Sequence, residues 1–78
     1  MKIVLDALQM QQKEAAHAYL KEMFGFPEYY GKNLDALYDC LSDMDGVEAE
    51  IQNLTNDNKY AVLCLKVMRA AGVKVVEV

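Results

Sequence analysis

Short apolar or alternating runs near both ends and in the middle of this chain are separated by segments whose apolar residues recur every three or four positions. Strands that are joined through helices pair in parallel, because a helix supplies the long crossover that a parallel pair requires. The order strand, helix, helix, strand, helix, strand therefore predicts an α/β fold with a small, mostly parallel sheet. Ile3 to Leu5 supply the first strand. Val47, Ala49 and Ile51 alternate with Glu48, Glu50 and Gln52, the period of a strand with one face on a core and a strongly acidic opposite face. Val73, Val75, Val76 and Val78 form a β-branched run, expected as a buried last strand.

The helical segments have recognisable ends. Between Met10 and Phe24 the residues Ala15, Ala16, Tyr19, Leu20, Met23 and Phe24 keep helical spacing, and Gly25 with Pro27 stops the helix. A turn follows through Glu28, Tyr29, Tyr30 and Gly31. Asn33 is the expected cap of a second helix, whose stripe Leu34, Leu37, Leu41 and Met44 runs to Gly46. Thr55, Asn56 and Asp57 offer caps for a third helix running to Ala71 before Gly72, with Ala61, Cys64, Leu65 and Met68 aligned.

At 78 residues with 54% hydrophobic content, the chain is expected to fold as one domain over 1–78. The apolar stretch Ala61 to Leu65 is too short to span a bilayer, and no export signal is expected. Cys40 and Cys64 sit in apolar segments away from any metal or redox motif, so both read as reduced core thiols of a cytoplasmic protein. Met10, Met23, Met44 and Met68 are expected to fill the core. His17, the one histidine, lies far along the chain from any candidate nucleophile and reads as a structural, hydrogen-bonded residue.

A net charge of -4 argues against a nucleic-acid partner and for a basic one. The acidity is concentrated: Glu28 to Glu50 holds seven acids and one base, Lys32, for a local charge of -6, while the remainder carries +2. Asp35, Asp39 and Asp43 fall at i, i+4 and i+8, forming one carboxylate stripe on the second helix, with Tyr38 and Ser42 beside it. Asp35 suits the positive end of the helix dipole, but Asp39 and Asp43 do not, since like charges at i, i+4 and acids at a helix C-terminus both weaken a helix. Local choices against stability point to function. Tyr29 and Tyr30, adjacent in a tight turn, cannot both enter a core this small, so at least one is expected at the surface, where an aromatic beside carboxylates makes an interface.

The run Phe26, Pro27, Glu28, Tyr29, Tyr30, Gly31, Lys32, Asn33, Leu34, Asp35, Ala36, Leu37, Tyr38, Asp39, Cys40, Leu41 closely resembles the barstar family of intracellular ribonuclease inhibitors. Weaker agreement, including His17 and the helix end at Gly72, extends over most of the chain. The resemblance implies a three-stranded parallel sheet packed with about three helices. It further implies that the second helix and its preceding turn plug a ribonuclease active site, acids standing in for RNA phosphates. By position, Tyr29, Asp35 and Asp39 match the family's principal contacts, with Asp39 facing the enzyme's phosphate-binding cluster, and Gly31, Asn33 and Leu34 match the turn and cap that aim the helix. Tyr38 stands where the family usually has Trp, Met44 occupies another aromatic position, and Val67 falls near an acid of the last helix. The expected partner-binding set is Tyr29, Asn33, Asp35, Tyr38, Asp39, Ser42, Asp43 and Met44. No catalytic residue, metal or cofactor is expected, and no membrane partner. The implied partner is a basic secreted ribonuclease or toxin domain bound one to one by a protein that is monomeric when free, of antitoxin or immunity type. The alternative is an acidic binding module of the same fold that engages a basic non-nuclease. An enzyme using Asp35 and Asp39 would require a concave site with split carboxyl pKa values.

Overall fold

Pairing fixes the frame. In the computed structural model, which describes residues 1–78, strands β1 (Lys2–Asp6), β2 (Glu48–Gln52) and β3 (Lys74–Glu77) form a parallel sheet in the order β1-β2-β3. The register sets Lys2 against Glu48 and Glu48 against Lys74. Helices α1 (Lys13–Phe24) and α2 (Leu34–Ser42) both lie in the connection between β1 and β2, and α3 (Lys59–Ala70) links β2 to β3. This is the three-stranded α/β arrangement expected from the resemblance.

Period two decides which face is covered. Ile3, Leu5, Ala49 and Ile51 point into one buried cluster, together with Leu20, Leu37, Leu41, Leu65 and Met68 from the helices. The opposite face is uncovered: Val4 and Val76 are exposed, as are Lys2 and Lys74. Glu48 and Glu50 on that face are not bare acids, however. The Lys2 ammonium lies 3.9 Å from Glu48 and 3.7 Å from Glu50, and Lys74 lies 3.6 Å from Glu48. The strongly acidic strand face expected from β2 alone is thus compensated by lysines on both neighbouring strands.

Four further expectations are corrected. The first helix begins at Lys13 rather than Met10, because Ala7–Met10 form a separate 3-10 turn whose Asp6 cap accepts the Leu8 N–H at 3.0 Å. Its buried residues are Ala16, His17, Leu20 and Phe24, leaving Ala15 and Met23 exposed. The α3 cap is Asn58, not Thr55, Asn56 or Asp57: its Oδ1 accepts the Ala61 N–H at 3.3 Å while its amide donates to the Ala7 carbonyl at 2.7 Å. The last strand is an edge strand, with Val73 buried just before it, Val75 half-buried, and Val76 and Val78 exposed. Cys40 is half-buried rather than a full core residue, whereas Cys64 is buried, and burial pushes its thiol pKa up to about 12.

One buried polar group ties the helices together. His17 is fully buried, its Nδ1 2.6 Å from the Tyr30 hydroxyl and its Nε2 2.5 Å from the Tyr60 hydroxyl. A neutral imidazole donates through one nitrogen and accepts through the other, so both ring nitrogens are satisfied without charge. Burial, with a smaller push from Lys13, lowers the His17 pKa and favours that neutral form. The structural role expected for His17 is the observed one, and its partners lie on the α1–α2 turn and on α3.

Candidate functional site

The turn between α1 and α2 separates its two tyrosines completely. Tyr30 enters the core, 5% exposed, with its ring 4.8 Å from that of Phe26 and its hydroxyl on His17. Tyr29, the residue just before it, is 88% exposed. The backbone stays tight because the Tyr30 N–H donates to the Pro27 carbonyl at 3.0 Å, and a Cβ at Gly31 would lie only 3.2 Å from the Ala36 Cβ. Gly31 is therefore small so that the turn can pack on the first turn of α2. Lys32 beside it adopts φ 53, a left-handed conformation unfavourable for a lysine.

Asn33 caps α2 as expected. Its Oδ1 accepts the Ala36 N–H at 2.7 Å and its amide nitrogen donates to the Gly31 carbonyl at 3.3 Å. Both ends of this side chain are engaged within the turn, so Asn33 positions the helix. Leu37 and Leu41 hold the inner side of α2 in the core. The outer side exposes Asp35, Tyr38, Asp39, Ser42 and Asp43. The Ser42 hydroxyl donates back to the Tyr38 carbonyl at 2.7 Å and so serves the helix end.

No side-chain cation lies within ion-pair distance of Asp35, Asp39 or Asp43. Asp35 sits in the first turn of α2, the last turn holds no base, and Asp43 is the C-cap residue. Two of the three carboxylates thus oppose helix stability with nothing to offset them. Nowhere do three or more His, Cys, Asp or Glu side chains come together as metal ligands.

Four of the expected residues, Tyr29, Asp39, Asp43 and Met44, meet around one open cleft of about 450 Å³. Its apolar lining comes from Phe24, Phe26 and Pro27, with Cys40 beside Met44. Burial, then the neighbouring Asp39 and Asp43 carboxylates, raise the Cys40 pKa and keep the thiol protonated. Asp35, Tyr38, Asn33 and Ser42 do not line this cleft. Phe24, Phe26 and Cys40 had no signal in the sequence beyond apolar periodicity, because only the tertiary turn at Gly25, with φ 71, brings them against the end of α2.

Comparison with known proteins shows what the chain is similar to. A family model described as Barstar (barnase inhibitor) matches residues 1–72. A curated protein of Bacillus subtilis (strain 168), named "Putative ribonuclease inhibitor YrdF", is 49% identical over 41 residues, which are 53% of this chain and 45% of that protein. The match thus spans about half the length of each.

Proposed function

The chain belongs to the barstar family, and from that premise we propose that it inhibits a ribonuclease by covering a basic active site with α2 and the preceding turn. The observation that carries the proposal is the row Asp35, Asp39 and Asp43, exposed and without a cation of its own, beside the exposed Tyr29 ring. Carboxylates on one helix face offer negative charge at spacings a phosphate-binding cluster of lysines and arginines accepts. Tyr29 supplies a large aromatic anchor at low conformational cost. Asp39, in the middle of the row, is the central contact, with Asp35 and Tyr38 towards one end and Asp43 and Met44 towards the other. Ser42 and Asn33 hold the helix ends from within this face.

The proposal includes a one-to-one complex with a basic secreted ribonuclease or toxin domain, formed by a single cytoplasmic domain that is monomeric when free. No helix is long and apolar enough to cross a membrane. The acidic face also steers association, since opposite net fields raise encounter rates and salt screens them. The test is titration of the purified protein into small basic bacterial ribonucleases while RNA cleavage is followed at low and physiological salt. Stoichiometric loss of cleavage is the expected result, and Asp39→Ala removes it while the protein stays folded. Full inhibition by Asp39→Ala would overturn the mechanism.

A further inference from the structure

The cleft beside Tyr29 joins the end of α2 to the preceding turn. Its apolar floor comes from Phe24 and Phe26, each under a tenth exposed, and from half-buried Met44. The two phenyl rings of that floor stack on each other at 5.3 Å with only 8° between their planes. Its lining also carries the Asp39 and Asp43 carboxylates, neither with an ion-pair partner, and the exposed Tyr29. A second depression of about 440 Å³, on the far side of Gly25, contrasts with it: the Lys21 ammonium already holds Glu28 there at 3.2 Å. Only the first is both apolar at its base and charged without compensation at its rim.

That combination restricts the occupant. A neutral aliphatic side chain would cover the floor but strip water from Asp43 without replacing it. A small hydrated cation would satisfy Asp43 and leave the phenyl floor wet. An arginine meets both demands: its methylene stem lies on apolar surface while its planar guanidinium forks onto a carboxylate and stacks on an aromatic ring. We propose that this cleft is a second anchor of the binding face, taking one arginine side chain of the partner between Asp43 and Tyr29 over the Phe24, Phe26 and Met44 floor. The inference rests on α2 being the docking face, and it adds a position adjoining the central Asp39 contact, since Asp39 also lines the cleft. Met44 makes the position available, since a larger side chain there would occupy the space.

The experiment needs no cognate enzyme. The isotope-labelled full chain is titrated with acetyl-Gly-Arg-Gly-amide and, in parallel, with the lysine and norleucine peptides, while backbone amide shifts are followed. The arginine peptide is expected to give saturable shifts at Phe26, Cys40, Asp43 and Met44, with affinity about threefold to tenfold above the lysine peptide, and the norleucine peptide to give none. Asp43→Asn, at an exposed position, weakens the arginine response by a similar factor, and Met44→Trp abolishes it by filling the cleft. Equal responses to arginine and norleucine would overturn the proposal, as would loss of the response in Asp39→Ala with its retention in Asp43→Asn. Ribonuclease inhibition is read separately. An inhibitor whose cleft ignores the arginine peptide retains the proposed function and refutes the second anchor, while arginine-selective binding in a protein that inhibits no ribonuclease does the reverse.

Discussion

Two surfaces of this protein carry closely spaced acids, and they are built on opposite terms. On the open face of the sheet, Glu48 and Glu50 each lie within 4 Å of a lysine contributed by a neighbouring strand. On α2, Asp35, Asp39 and Asp43 lie near none. Composition does not distinguish these surfaces, and strand register does. Parallel pairing sets Lys2 and Lys74 on either side of Glu48, so the charges of the sheet face are settled within the chain. The α2 carboxylates are held out by a helix whose stability comes from its inner side. The lesson is that acidity marks a binding surface only where the fold leaves it uncompensated.

If the inner side of α2 is what holds those carboxylates out, the largest effect belongs to the core beneath them. Leu41→Ala, at a fully buried position, should lower unfolding free energy by about 2–5 kcal/mol, measured by urea denaturation. A loss under about 1 kcal/mol would mean that α2 is held by something other than its buried stripe. Next comes the direct contrast between the two acidic surfaces. Asp39→Ala should cost at least about 2 kcal/mol in ribonuclease affinity while leaving stability unchanged or slightly raised, whereas Glu50→Ala should leave affinity untouched. Calorimetric titration of both variants reads the difference, and equal losses would erase the distinction.

A buried site that keeps no charge sharpens the contrast further. Because His17 has a lowered pKa in the folded state, the unfolded chain binds its proton more readily. Stability from this group is therefore complete above the unfolded value of 6.5 and is lost as pH falls from there towards the folded pKa. His17→Gln should flatten that segment of the stability profile, with thermal unfolding between pH 7 and pH 5 as the readout. The smallest effects lie in the exposed charges themselves. Asp43→Lys should raise stability by about 0.3–1 kcal/mol through the helix dipole, and Glu48→Gln should lower it by no more than about 1 kcal/mol. Opposite signs for two acid removals are the signature of one compensated and one uncompensated surface.

Much of this was legible in the sequence where local chemistry is self-sufficient. Asn33, the leucine stripe and Gly46 delimit α2 without reference to the rest of the chain, and the alternation of Val47, Ala49 and Ile51 gives the buried face of β2. The tyrosine pair announces that one ring is exposed, and the fold assigns that place to Tyr29. Features decided by distant partners were not legible. Asn58 rather than Thr55, Asn56 or Asp57 caps α3 because its amide also reaches Ala7. The valines of β3 read as buried, yet edge position in a one-sided sheet exposes Val76. Met10 keeps helical spacing with α1 although it closes a 3-10 turn. The cleft needs Phe24, Phe26 and Met44 to meet across a turn, and no local pattern encodes that meeting.

The pairing of β1 with β2 has a kinetic consequence. Both α1 and α2 lie inside the loop that this pairing closes, so the entire docking face sits within one long-range contact between Lys2–Asp6 and Glu48–Gln52. Contacts of such sequence separation slow the folding search, because chain entropy is spent before the contact forms. Once formed, they make the docking helix part of the same cooperative unit as the first strand. Displacing β1 would then remove the acidic face from use as surely as mutating it, and a newly made chain is expected to offer that face only after β2 has been completed and drawn back onto β1.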